Sequence, residues 1–522
     1  MEQTIDQLKD TFINKIQEFD EIGQKFVNAT ISSAEFKASS GGMGVYAQRG
    51  GKEFMIRLRV LSGVLDFKTL NLINDFASEY SLEYIHLTTR QAIQIHDLAF
   101  HEVIGIMEKS LENELYTRGG GGNFPRNVSL SPLSGVEKDE AFDVTPYALL
   151  VNNYFLSKMN TFKLPRKFKV AFSNNSKDTA NATVADLGFI AVIKDGKKYF
   201  RLFLGGGLGA NGAIGIPYDE LVDPADTLYH VEAMLSLFVA EGDYQNKGKA
   251  RIRYILGRMG KEAFLDCYKK HLKHINESQV IDYQYKTDYE VNVIGQTSLK
   301  LEDVNVISQK QEGLYTVVLH PQGGLLKSID LNNIVTYLKN ISNAQVRLTM
   351  EESMLVRNLT ALQAKELLQL TKELRNTTRL SRSLCCIGVP ICQIGIGESQ
   401  ALLNSILTTF KEKEFTEDIL PALHISGCLN SCSRHQVSEL GLQGKKKRVN
   451  EAMEYVYALH LGGYVSAEGT TLAKEYGDLL ATTIPSFLYE LALVLKENKL
   501  ELKDYIIVQK EEFETILEKY LV

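Results

Sequence analysis

The 522 residues are 44% hydrophobic and 23% charged with only 10 prolines, which excludes a disordered, collagenous or disulfide-stapled chain and implies a globular protein of about two to four domains. A net charge of −6 leaves no electrostatic footprint for nucleic acid. The longest apolar runs, such as GFIAVI and SFLYELALVL, fall short of the ~18 residues of a membrane span, so no integral membrane protein is expected.

In chain order, residues 1–40 read as an N-terminal helical segment. Its start, MEQTIDQLKDTFINKIQEFDEIGQKF, is acid-rich and amphipathic, without the basic and apolar regions of a signal peptide, so a cytoplasmic location is expected. Residues 41–108 contain MIRLRVLSGVLDFKTLNLINDF and then YIHLTTRQAIQIH. Residues 300–375 contain TVVLHPQGGLLKSIDLNNIVTYL and then QVRLTMEESMLVR. The two segments align without a gap at an offset of 261, with Gly63 on Gly324 and Leu87–Thr88 on Leu348–Thr349. Each opens on alternating apolar residues, turns at Gly, runs at the helical period and closes on a second alternating stretch, giving β-turn-α-β. This is an internal duplication whose halves should pair about a pseudo-two-fold axis with a site at their junction.

Between the copies, residues 109–299 are mixed and Gly-rich, with RGGGGNFPRNV, LPRKFKVAF, FLGGGLGANG and the basic helical stretch NKGKARIRYILGRMG. The GGGLGANG loop is no dinucleotide fingerprint, because no acidic residue follows a strand–GxGxxG–helix unit. Residues 376–522 carry most of the cysteines and end in amphipathic helices, the charged tail KEEFETILEKYLV reading as a solvated face.

Five of six cysteines lie between residues 385 and 432, leaving Cys267 alone. Clustering in a chain without a signal peptide favours metal ligation over disulfides. Cys386 and Cys392 are spaced C-x5-C, and Cys428 and Cys432 C-x3-C. Zinc knuckles are normally tighter in both halves, whereas a 4Fe-4S cube accepts wider, unequal pairs. The small or polar residues Gly427, Asn430 and Ser431 let N–H groups approach the sulfurs. Cys385 breaks the pairing and reads as a small buried hydrophobe.

The C-x5-C pair with GC-x-N-x-C, preceded by duplicated β-α-β units bearing LTTRQ, resembles the sirohaem-dependent assimilatory sulfite and nitrite reductases from about residue 40 to HLGG at 460–463. The resemblance implies a multi-domain α+β fold. Two duplicated ferredoxin-like half-domains (41–108 and 300–375) would pair by pseudo-two-fold symmetry. Two further α/β domains would surround the sirohaem site, one binding sirohaem and substrate (109–299) and one binding the cluster and sirohaem (376–522). It also implies a 4Fe-4S cluster on Cys386, Cys392, Cys428 and Cys432, with Cys432 shared with the sirohaem iron. Leu429 stands where the family usually has Pro, which alters loop stiffness and not ligand count.

An anionic macrocycle needs cations and close backbone approach. The residues similar to the family's macrocycle contacts are Arg90, Gln94, His96, Asn127, Gly205, Gly206, Gly207, Asn211, Asn246, Lys247 and Arg251. RGGGGN before Arg126 is more glycine-rich than in relatives. The residues matching the family's substrate-binding cations are Arg57, Arg126, Lys167 and Lys169. On an alternating strand Lys167 and Lys169 point the same way. Arg57 falls where the other copy has Val318, so an apolar position has become a charge that needs a partner such as an anion.

The expected activity is six-electron reduction of sulfite to sulfide. Sulfite-selective members tend to carry Lys-x-Lys where nitrite-selective members carry Lys-x-Asn, and this chain has Lys167-Phe168-Lys169. Reduction of nitrite to ammonia is the alternative reading, and an iron–sulfur carrier without sirohaem or a structural zinc protein are the readings outside this chemistry. With no flavin or nicotinamide domain evident, electrons should come from ferredoxin or a flavoprotein, and the KKKR run at 445–448 could dock an acidic donor or be a solvated loop.

Overall fold

The computed structural model describes residues 5–284 and 300–522, so the boundary expected at 299/300 borders residues outside the described ones. Two kinds of unit alternate along the chain. The first kind contains β1 (Val45–Ala47), β2 (Phe54–Leu58), β3 (Val64–Leu65), β4 (Tyr84–Leu87) and β5 (Ile93–Leu98). The second kind follows, with β6 (Ser129–Leu130), β7 (Val170–Ser173), β8 (Leu187–Lys194), β9 (Lys197–Leu204) and β10 (Ile216–Val222). Then each kind recurs. The first returns as β11 (Val306–Ser308), β12 (Tyr315–Leu319), β13 (Leu325–Lys327), β14 (Gln345–Leu348) and β15 (Met354–Leu359). The second returns as β16 (Leu384–Cys385), β17 (Leu423–Ser426), β18 (Leu440–Val449), β19 (Ala452–Leu461) and β20 (Lys474–Leu480).

The duplicated halves exchange a strand. Their sheets run β1-β2-β5-β4-β13 and β11-β12-β15-β14-β3, so each copy's short third strand completes the other copy's sheet. Leu325 and Leu326 pair with His86 and Ile85, and Val64 and Leu65 with Arg347 and Val346. The exchange begins where the chain turns at consecutive positive φ values, 53° and 71° at Ser62–Gly63 and 57° and 74° at Gly323–Gly324. A Cβ on Gly63 or Gly324 would fall 2.6 or 2.5 Å from the carbonyl oxygen of Leu348 or Leu87 in the opposite copy, so the crossing backbones require glycine there. One continuous core results, joining Ile56, Ile93 and Ile95 to Val317, Leu319 and Val356. The helices Ile5–Val27 and Ser33–Met43 add Phe12, Ile16, Phe19 and Phe36 to it, with Ser32 and Glu35 forming a capping box.

The two α/β units are also copies of each other. Their sheets run β10-β9-β8-β7-β6 and β20-β19-β18-β17-β16, parallel across the last three strands and antiparallel across the first three. Residues 173–188 align in register with 426–441, at an offset of 253. Asp178 and Ser431 share φ of 53° and 51°, and Asn181 and Arg434 share 57° and 60°. The shared VADLG and VSELG end in Gly188 and Gly441, whose Cβ would lie 2.1 and 2.2 Å from the carbonyls of Ala182 and His435. Each unit has its own apolar core. No helix of the described residues is long and apolar enough to cross a membrane.

Gln91 and Glu352, related by the first duplication, sit at φ 52° and 55°. The Gln91 amide accepts from Leu130 N and donates to the Leu130 and Leu348 carbonyls. Glu352 accepts from Cys385 N in the same way, but only a protonated carboxyl can donate as the amide does. Burial pushes Glu352 up to about 8, with the Cys385 N–H and Arg434 opposing. A carboxyl protonated when folded and ionised when unfolded makes stability fall as pH rises from about 4.5 to about 8. Glu352→Gln should remove that fall, by up to a few kcal/mol at pH 8. Denaturant unfolding of both chains between pH 5 and 9 checks it, and identical pH slopes would refute the neutral acid.

Candidate functional site

The end of β16 and the loop after it carry Cys386 and Cys392, and the loop after β17 carries Cys428 and Cys432. Because β16 and β17 are parallel neighbours, both loops leave the same end of the sheet. All six cysteines are free thiols. Burial, then Cys432, pushes the Cys386 thiol up to about 12, with Cys392 adding to the rise. Cys432 is likewise raised by burial and by Cys428 and Cys392, while Lys167 and Lys169 oppose the rise. The four thiols therefore face one another. Donors already aim at them: Gly427 N donates to Cys386 Sγ at 3.1 Å, Asn430 Nδ2 to Cys428 Sγ at 3.4 Å, and Ser399 Oγ lies 3.4 Å from Cys386 Sγ. Among the described residues no three His, Cys, Asp or Glu side chains close on a single-ion site. Cys385 points the other way and is fully buried in the apolar core, as expected.

The other α/β unit, which has no cysteine at the matching corner, shows what this corner becomes without thiols. The positions of Cys386, Cys392, Cys428 and Cys432 are taken there by Ser131, Glu137, Asn175 and Thr179. Asn174 N donates to Ser131 Oγ as Gly427 N donates to Cys386 Sγ. Ser131 Oγ and Thr179 Oγ1 then close the corner with a 2.6 Å hydrogen bond.

Beside Cys432 lies a cleft lined with cations. Lys167 and Lys169 flank Phe168, whose side chain is fully buried while both lysines turn toward the cleft. Neither lysine has an ion pair among the described residues. Burial, then Arg251 and Arg126, pushes Lys167 down to about 7, and burial with Arg90 pushes Lys169 well down. Arg90 and Arg126 are lowered by burial and by each other's neighbourhood of guanidiniums. The compensating carboxylate is Asp186, which accepts from Arg251 Nε and Nη2 at 3.0 and 2.8 Å and caps Lys169 N. Such an excess of buried positive charge is costly without an anion. Arg253, 9% exposed, has Nε and Nη1 without partners.

The structure brings Arg57, Arg126, Lys167, Lys169, Arg90 and Arg251 together. Arg57 on β2 faces Gln94 on β5, and the Gln94 amide, oriented to satisfy both ends, accepts from Arg57 and donates to His86. His86 in turn meets His96 at 3.4 Å. The carbonyls of the glycine loop hold the arginines: Arg57 donates to Gly120, and Arg126 to Gly121, Gly122 and Phe124. A Cβ on Gly121 would lie 2.3 Å from the Gly41 carbonyl, which explains the glycine run. Asn127 is buried behind Arg90, its amide holding the Val60, Arg90 and Gln91 carbonyls. Gly205, Gly206 and Gly207 form a buried wall, and a Cβ on Gly207 would fall 2.9 Å from Arg251 Nη2. Asn211 reaches only Tyr254, and Asn246 and Lys247 are exposed on the loop before helix Ile252–Met259.

Both groups implied by the resemblance fit: a cluster the four-thiol corner with its N–H donors, an anionic macrocycle the cation-lined, glycine-walled cleft beside it. Sequence reasoning missed Arg253 and Arg434 here; the second Arg of ARIR and the Arg two residues after Cys432 were the available signals. The KKKR run is largely occupied. Lys445 and Lys447 pair with Glu475 and Asp478, and Lys446 lies over the Tyr455 ring.

The family model described as nitrite/sulfite reductase ferredoxin-like half domain matches residues 46–113, and that described as nitrite and sulphite reductase 4Fe-4S domain matches residues 121–276. The ferredoxin–nitrite reductase of Synechococcus elongatus is 27% identical over 453 residues, 84% of this chain and 86% of its own. The sulfite reductase (NADPH) hemoprotein beta-component of Geobacillus kaustophilus is 24% identical over 471 residues, 81% of this chain and 78% of its own. The solved Mycobacterium tuberculosis NirA protein shares the fold, with a TM-score of 0.77 over 97% of this chain and 96% of its own at 20% identity.

Proposed function

Because the chain belongs to the sirohaem- and 4Fe-4S-dependent nitrite and sulfite reductases, we propose that it reduces sulfite to sulfide with six electrons from an external donor protein. The observation that carries this reading is the pair of lysines, Lys167 and Lys169, without ion pairs among the described residues and within electrostatic reach of each other and of Cys432. Cys386, Cys392, Cys428 and Cys432 would hold the cluster. Arg90, Arg251 and Arg253 would hold macrocycle carboxylates, with Gly205–Gly207 giving close backbone approach and Asn127 positioning Arg90. When bound, these cofactors would supply single electrons for reduction of an oxyanion.

The protein's own part is binding and protons. Arg57 and Arg126, fixed by glycine-loop carbonyls, orient the oxyanion without moving. Lys167 and Lys169 neutralise its second charge and lose a proton readily, because burial among guanidiniums disfavours the ammonium form. Sulfite sheds its oxygens as water, so such donors are needed at each stage. Ferredoxin is the donor that the relatives' names favour. A second reading, nitrite reduction to ammonia, is favoured by relatives named as nitrite reductases. Incubating the purified holoprotein with sulfite and a reduced one-electron dye should give sulfide with six dye equivalents consumed per sulfide, and absence of sulfide would refute the proposal.

A further inference from the structure

The turn between β1 and β2 carries Arg49 onto the loop that holds Cys392. Its backbone N–H donates to the Ile391 carbonyl at 3.1 Å, and its Nη2 donates to the carbonyls of Gly395 and Cys392 at 2.7 and 3.5 Å. Gly50 and Gly51, at φ of 96° and 75°, make the turn, and Gln48, bonded to Asp97 through both ends of its amide, braces it. Arg49 is exposed and has no ion pair among the described residues.

The duplication supplies the comparison. The mate of Arg49 is Lys310, whose N–H donates to the Val136 carbonyl at 2.9 Å, the mate of the Ile391 contact. Lys310 then pairs with the buried carboxylate of Glu140. Glu140 corresponds to Gly395: Ala141 N donates to the Asn174 carbonyl as Ile396 N does to that of Gly427. The same latch is therefore built twice. In the copy whose corner lacks thiols its cation is neutralised by an acid; in the copy with the four thiols the acid is glycine, and the cation binds a neutral carbonyl.

We propose that Arg49 is a positioning residue that clamps the Cys392 loop and holds an uncompensated positive charge against the cluster, raising its reduction potential. The proposal rests on the cluster-ligand reading above. Reduction adds negative charge to the cluster, so a nearby cation favours the reduced form, and the potential responds to local charge and hydrogen bonding. Glycine at 395 keeps that charge free.

The test is a redox titration of the holoprotein, with the cluster followed by electron paramagnetic resonance and iron content measured on each sample. Arg49→Gln should move the midpoint to more negative potential, and Arg49→Lys should stay near wild type. Gly395→Glu should rebuild the ion pair and also move the midpoint negative, whereas Gly395→Gln, equal in size, should not. A new Cβ at 395 lies 3.3 Å from Cys392 Cβ and from the backbone at Gly388 C and Val389 N, so those neighbours must give by a few tenths of an ångström, equally for Glu and Gln. If Arg49→Gln fails to load iron, the Glu and Gln variants at 395 decide between charge and bulk. Equal midpoints for those two, or a loaded Arg49→Gln with the wild-type midpoint, would overturn the proposal. A wild-type chain that takes up no iron would instead overturn the ligand reading.

Discussion

Cys432→Ser should cost the protein both cofactors: iron content and the sirohaem absorption bands fall together, and dye-driven turnover drops below about one hundredth of wild type. Removing a group that only supports a ligand already costs ~10–100-fold, so removing a shared ligand costs at least that. The placement supports a shared role. Among the four thiols Cys432 is the exposed one, and Lys167 and Lys169 both act on it. Its carbonyl accepts from Thr89 Oγ1 at 2.7 Å, which ties it to the LTTRQ loop of the first half-domain. The fold should survive, because Thr179 holds the same position in the other copy with a hydroxyl. Thermal unfolding of the apo chains therefore separates ligand loss from misfolding. A Cys432→Ser protein with wild-type bands and turnover would contradict the shared-ligand assignment.

Lys169→Asn should shift the ratio of kcat/KM for sulfite over nitrite toward nitrite by at least about tenfold. One charge-assisted hydrogen bond is worth ~1.5–3 kcal/mol, or about ten- to a hundredfold in rate. Sulfite near neutral pH is partly dianionic and sheds three oxygens, whereas nitrite is a smaller monoanion, so the loss falls mainly on sulfite. Phe168 is fully buried and Lys169 N is capped by Asp186, so the substitution leaves the backbone in place. Steady-state assays of both substrates with one reduced dye read the ratio, and an unchanged ratio would remove Lys169 from substrate selection.

The first duplication is legible in sequence because its copies keep one offset throughout: Gly63 and Gly324 are fixed by the crossing backbones, and β4 and β5 keep the lengths of β14 and β15. The second is not, although VADLG and VSELG were there to see. Its copies need two offsets, 255 around Cys386 and 253 around Cys428, and four thiols replace Ser131, Glu137, Asn175 and Thr179. The cysteines and the Lys-Phe-Lys alternation are local patterns, so spacing reveals them. Arg57 was legible for a different reason, a charge where its mate Val318 is apolar. Arg253, Arg434 and Arg49 were hidden because an arginine reads the same exposed or buried, and only tertiary contacts show that Arg253 Nε and Nη1 lack hydrogen-bond partners and that Arg434 donates to the Met350 carbonyl. Asn246 and Lys247 show the converse, polar residues in a promising stretch that fold to the exposed rim.

The measurement that bears most directly on the proposed activity is the specificity of the wild-type holoprotein, kcat/KM for sulfite and for nitrite with the same reduced dye. With Lys167 and Lys169 both facing the cleft, the value for sulfite should exceed that for nitrite. A wild-type preference for nitrite would contradict the sulfite assignment.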